Sequence, residues 1–101
     1  MISQKELDAA ARLFDSGEYF ECHDLLELAW RREAGAEKLF LQGLIQAAAA
    51  YHKRKSGGLA GYEYLLGRAR KNLAGAPEER LAWVRLFLSE LGKDAPRMPK
   101  A

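Results

Sequence analysis

The sequence predicts an all-α protein, a single-domain bundle or array of about five helices with an apolar third helix at its centre. Three observations carry this expectation. Threonine is absent, and valine and isoleucine occur only as Val84, Ile2 and Ile45, while alanine and leucine abound. The β-branched residues that favour strands are therefore nearly missing. Apolar residues recur at spacings of three and four along most of the chain, which is the period of a helix with one buried face. The interruptions fall at "DSGE", "AGA", "SGG" and "AGAP", where glycine, serine and proline break or cap helices.

The elements follow in order. "SQKE" at Ser3 to Glu6 has the pattern of a capping box, so a first helix starts there. Leu7, Ala10, Ala11 and Phe14 form its apolar face, and Gly17 stops it. Asp15 or Ser16 is expected to cap a second helix that runs to about Ala34 and ends at Gly35. The third, about Ala36 to Lys55, is apolar on most of its circumference, leaving a narrow polar stripe of Gln42, Gln46 and Lys53. Such a helix is normally central in its bundle. "SGG" at Ser56 to Gly58 separates it from a fourth, about Leu59 to Leu73. Pro77 suits the first position of a fifth, about Pro77 to Leu91, which is expected to bury Leu81, Val84, Leu88 and Leu91, with Trp83 and Phe87 alongside. One helical domain is thus expected over residues 1–92, with a polar, proline-bearing tail over 93–101 that frays.

The bulk properties exclude several classes. A chain of 101 residues suffices for one domain with a real core. Its hydrophobic fraction of 49% and charged fraction of 30% are those of a globular protein. "MISQKELDAA" lacks the layout of a signal peptide, and "LIQAAAAY" is far short of the roughly 20 residues that span a bilayer. The lone Cys22 has no intramolecular disulfide partner. A cytoplasmic protein without a membrane partner is the expectation.

Nucleic acid is not an expected partner either. The net charge is only +2. Arg31 and Arg32, Lys53 to Lys55, and Arg68 to Lys71 lie near helix C-termini, while Glu6, Glu18, Glu37, Glu78 and Glu79 lie near helix starts. Helix dipoles favour that arrangement without any ligand.

One stretch nominates a site. In "YFECHDLLELAW" the residues His23, Glu27 and Trp30 fall within one sixty-degree sector of the second helix, bounded by Phe20. A histidine and a carboxylate four residues apart can both reach one divalent ion, and a tryptophan one turn on can cover it. Nitrogen and oxygen ligands suit zinc, iron, manganese or nickel. Two ligands fall short of the three or four protein groups usually found. If the second and third helices pack antiparallel across the short link at Gly35, His52 sits level with His23 and supplies a third ligand, with Glu21 a fourth and Asp24 and Gln46 as further candidates. The structural reading stands beside this one: His and Glu at four-residue spacing also pair with each other on a helix, and Trp30 on Leu26 is an ordinary core contact. Direct acid and base use of Glu27 and His23 without metal is a third. Cys22 diverges from His23 on the helix and reads as core. "GGLAG" lacks the lysine and hydroxyl of a phosphate loop and reads as a turn.

"FDSGEYFECHDLLELAWR", followed by "FLQGLIQAAAAYHK" and "GYEYLLGRA", resembles domain-of-unknown-function family 309, whose hallmark is His, three residues, Glu, two residues, then Trp or Tyr. His23, Glu27 and Trp30 fit that pattern. The resemblance implies a compact helical protein with a metal site at the motif, and it names no substrate. Hydrolysis at a metal-bound water would extend the metal reading, though no residue demands it. The rival is a non-enzymatic interaction module or homodimer in which the cluster is structural. Leu28, apolar among Asp24, Arg31 and Arg32, hints at such an interface.

Overall fold

A computed structural model describes residues 1–100. The first helix, α1 (Gln4–Asp15), starts on the expected capping box: Ser3 Oγ accepts the amide of Glu6 at 3.1 Å, and the Glu6 carboxylate accepts the amide of Ser3 at 3.1 Å. Arg32 also donates to Glu6, and these hydrogen bonds hold its carboxyl below the ordinary range. Ser16 terminates α1, its hydroxyl donating to the carbonyl of Arg12 at 2.8 Å, and Gly17 turns the chain at φ +78°.

The second helix, α2 (Tyr19–Arg32), therefore starts later than the sequence suggests. Glu18 occupies its cap position and makes no side-chain cap, because Ser16 is spent on α1 and Asp15 is turned toward the C-terminal segment. Glu33 and Ala34 are extended, and Gly35 at φ +63° opens α3 (Gly35–Lys55). The left-handed backbone there suits glycine.

Helix α3 is central: both α2 and α4 (Leu59–Leu73) pack on it, with α1 packed on α2. Phe40, Leu41, Leu44, Ala47, Ala48 and Ala50 are fully buried. Gln46 is not part of an exposed stripe. It is buried and accepts from Asn72 of α4 at 2.6 Å, which satisfies the amide that burial would otherwise penalise. Nearby, α3 and α4 approach at Gly43, where a Cβ would lie 2.6 Å from Leu73 Cγ.

The last helix differs from expectation. Pro77 has extended backbone and precedes a short 3-10 helix, Glu78–Arg80, so α5 proper is only Leu81–Glu90. A 3-10 turn carries three residues per turn, which rotates the following apolar face. Phe87 and Val84 enter the core, Leu88 is partly buried, and Leu81 is exposed. Arg80 reaches back to α3 and pairs with Glu37 at 2.8 Å, both side chains being largely buried.

The C-terminal segment docks instead of fraying. Met98 is 1% exposed, its amide donates to Asp15 at 2.8 Å, and Lys100 and Arg97 pair with the same carboxylate. Trp83 Nε1 donates to the carbonyl of Pro99 at 3.1 Å. The Tyr51 hydroxyl donates to the carbonyl of Lys93 and accepts from the amide of Gly92. Phe14, Tyr51 and Phe87 meet edge to face at the centre of this aromatic core. Among the described residues no helix is long and apolar enough to cross a membrane.

Candidate functional site at the seam of helices 2 and 3

The short link at Gly35 folds α3 back antiparallel to α2, so residues pair in reverse order along the seam. Near the start of α2, Phe20 and His23 share a pocket with Ala49, His52 and Lys53 of α3 and Leu65 of α4. Two turns on, Glu27 and Trp30 share a depression with Gln42 and Ile45. Cys22, Leu26 and Ala29 on the adjoining face of α2 enter the core, which fixes its rotation and leaves His23, Glu27 and Trp30 along the groove.

At the His23 end, Phe20 lies between the two imidazoles. Its ring centre is 6.3 Å from that of His23, nearly parallel at 20°, and 5.7 Å from that of His52. Phe20 is half exposed. The pocket has a volume of about 180 Å³ and walls that are almost entirely carbon. His52 is where antiparallel packing of the two helices puts it, and neither of its ring nitrogens has a hydrogen-bond partner among the described residues.

His23 stands between two carboxylates of its own helix. Nδ1 is 3.4 Å from Asp24 Oδ1, and Nε2 is 3.7 Å from Glu27 Oε2. The other oxygen of Glu27 accepts from Arg31 at 2.7 Å. The row Asp24, His23, Glu27, Arg31 is thus an alternating strip of charge and imidazole along the rim of the groove, each contact made within one turn.

The remaining site candidates lie apart. Glu21 is exposed, about 200° around α2 from His23, and does not line the pocket. Gln46 is held by Asn72. Trp30 sits at the far end of the seam, where the Lys38 ammonium lies 4.2 Å from its ring centre. Among the described residues, no three side chains of His, Cys, Asp or Glu come together in a group able to hold an ion. Cys22 is fully buried, donates to the carbonyl of Ala10 at 3.4 Å, and has its thiol pushed up to about 12, first by burial and then by Asp15.

Sequence reasoning missed Ala49, Lys53 and Leu65 as pocket walls. Ala49 and Lys53 flank His52 at spacings of three and one on α3, which was a usable signal once His52 was placed. Leu65 comes from α4, and nothing in the spacing of α2 and α3 points to it.

The family model described as domain of unknown function (DUF309) matches residues 7–65, which span α1, α2, α3 and the first half of α4. No curated protein and no solved structure matches the chain. The matched span contains His23, Glu27 and Trp30 together with every wall of the pocket. The chain belongs to domain-of-unknown-function family 309.

Proposed function

We propose that this chain is a helical binding module whose recognition surface is the seam of α2 and α3. The observation that carries this reading is the division of labour along that seam. Glu27 accepts from Arg31 and Nδ1 of His23 meets Asp24, so both polar residues of the motif have partners within α2. The apolar part is open: half-exposed Phe20 borders a carbon-walled pocket between two imidazoles. Concave apolar sites with a few polar groups at the edge are where ligands and partner side chains are usually taken up.

The test is a nitrogen-15 spectrum of the protein recorded with fractions of a cell extract. A specific occupant is expected to move signals of Phe20, His23, Ala49, His52 and Leu65 together, and the substitution Ala49→Glu, which places a charge in the pocket, is expected to remove the effect. Shifts that map elsewhere and survive that substitution would count against the seam.

A second reading keeps the ion. Its support is that His23 Nε2 and Glu27 Oε2 face one another at 3.7 Å with His52 across the same pocket. A zinc, manganese, iron or nickel ion would take those three side chains once Glu27 let go of Arg31, with Glu21 recruited only by a change at the start of α2. Hydrolysis would follow only from an ion so held. Calorimetric titration with each metal, repeated on Glu27→Gln, tests it: binding near one equivalent that this substitution abolishes would favour the ion. A homodimer is a further occupant of the rival kind, resting on Leu28, which is 60% exposed beside Asp24, Glu27 and Arg31. Sedimentation of the parent and Leu28→Glu distinguishes it.

A further inference from the structure

The pocket at the His23 end of the seam has a chemistry narrower than a general apolar groove, and a ligand class assigned to it rests on the reading of the seam as a binding surface. It is open to solvent rather than enclosed, and its volume is about 180 Å³. That is room for one ring with a small substituent. Phe20, Ala49, Leu65 and the edges of two imidazoles supply carbon walls.

The rim carries the selectivity. The Lys53 stem packs against Gly58 and Gly61 at the start of α4, and Lys53 is one of the residues that line the pocket. Its successors are already used, Arg54 by Asp94 and Lys55 by the carbonyl of Gly17. Lys53 has no ion-pair partner among the described residues, and His52 beside it has no hydrogen-bond partner for its ring. On the other side, Asp24 and Glu27 face His23, and Glu27 is answered by Arg31. With Glu27 answered by Arg31, Asp24 leaves the His23 edge the less favourable side for a negative group, and Lys53, unpaired among the described residues, makes its own edge the more favourable. The helix dipoles leave this choice to the side chains, because the positive starts of α2 and α4 and the negative ends of α1 and α3 gather at this end of the bundle and offset one another.

We propose that the pocket binds a compact amphiphilic carboxylate, with one apolar ring held between Phe20, Ala49 and Leu65 and its anionic head at His52 and Lys53. The ring gains from leaving water and the carboxylate from a charge-assisted hydrogen bond.

The probe is sodium benzoate, titrated into the labelled intact chain beside benzyl alcohol, which has the ring without the charge, and sodium acetate, which has the charge without the ring. Benzoate is expected to give saturable shifts at Phe20, Ala49, His52, Lys53 and Leu65, with the two controls binding at least tenfold more weakly. Lys53→Met, which keeps the stem, is expected to weaken benzoate at least threefold and leave benzyl alcohol unchanged. Benzyl alcohol binding as tightly as benzoate would overturn the anionic head while leaving the seam as a binding surface. No saturable shift in the pocket with any probe would overturn the proposal for this pocket. If extract fractions also fail to move the seam, the broader reading falls with it.

Discussion

Nε2 of His23 stands 3.7 Å from Oε2 of Glu27, and the other oxygen of that carboxylate accepts from Arg31 at 2.7 Å. Glu27 thus links an imidazole and a guanidinium on one face of α2. Such surface pairs at four-residue spacing contribute only about 0.3–0.5 kcal/mol. Arg31→Ala is expected to change stability in urea by no more than about 0.5 kcal/mol, and to leave the seam without affinity for an ion. Tight uptake of zinc or manganese by that variant alone would show that Arg31 masks a metal ligand.

The pair of Glu37 and Arg80 is of another kind, because both partners are largely buried and the Ile2 amide also donates to Glu37 at 2.9 Å. Burial pushes the Glu37 carboxyl up, but the hydrogen bond from Arg80, the Ile2 amide and the charge of Arg80 outweigh it, and the net direction is down from 4.5. A carboxyl lowered by folding adds stability above its ordinary value and loses it as pH falls through the folded value. Glu37→Gln is expected to cost about 3 kcal/mol or more at neutral pH, since Arg80 is left buried without its counter-charge. The variant is also expected to lose less stability than the parent on acidification below pH 4.5. Urea unfolding of both proteins at several pH values checks both statements.

Met98 anchors the C-terminal segment with its side chain in the core and its amide on Asp15. Met98→Ala is expected to cost about 2 kcal/mol or more by the loss of packing. The anchoring of this segment on Asp15 and Trp83 predicts that it unfolds in the same transition as α1 and α5. A separate early transition, seen in Trp83 fluorescence alone, would contradict its docking.

The thiol of Cys22 is fully buried, with its pKa raised to about 12. Burial thus keeps the thiol protonated at pH 8, and the thiolate is the reactive form. Labelling by an aromatic disulfide is expected to proceed at the rate of unfolding and to accelerate with urea. Rapid labelling of the folded protein would place Cys22 outside the core.

Helices α1, α3 and α4 were legible because their signals are local: a capping box at Ser3, an apolar circumference around Leu44, and glycines at 57 and 58. The face shared by His23, Glu27 and Trp30 was legible from angular spacing alone, and the level of His52 from the short link at Gly35. The features that stayed hidden depend on contacts distant in sequence. Ser16 and Asp15 look like caps for α2 until one is taken by Arg12 and the other by Met98, 83 residues away. Leu81 looks like a core position until the 3-10 helix at Glu78–Arg80 rotates α5 and sends Phe87 inward. Gln46 reads as solvent-facing until Asn72 of α4 meets it. The tail reads as polar because its one large apolar side chain, Met98, makes no pattern by itself.

If the seam binds through its apolar pocket, with Glu27 held by Arg31, then His23 and Glu27 hold no ion. Elemental analysis of tag-free protein purified without chelators tests this most directly, beside a His23→Ala variant shown by circular dichroism to keep its helices. The result expected is metal well below one ion per chain and unchanged by the substitution. Metal near one ion per chain in the parent, lost in the folded variant, would contradict it and make the ion the functional element of the seam.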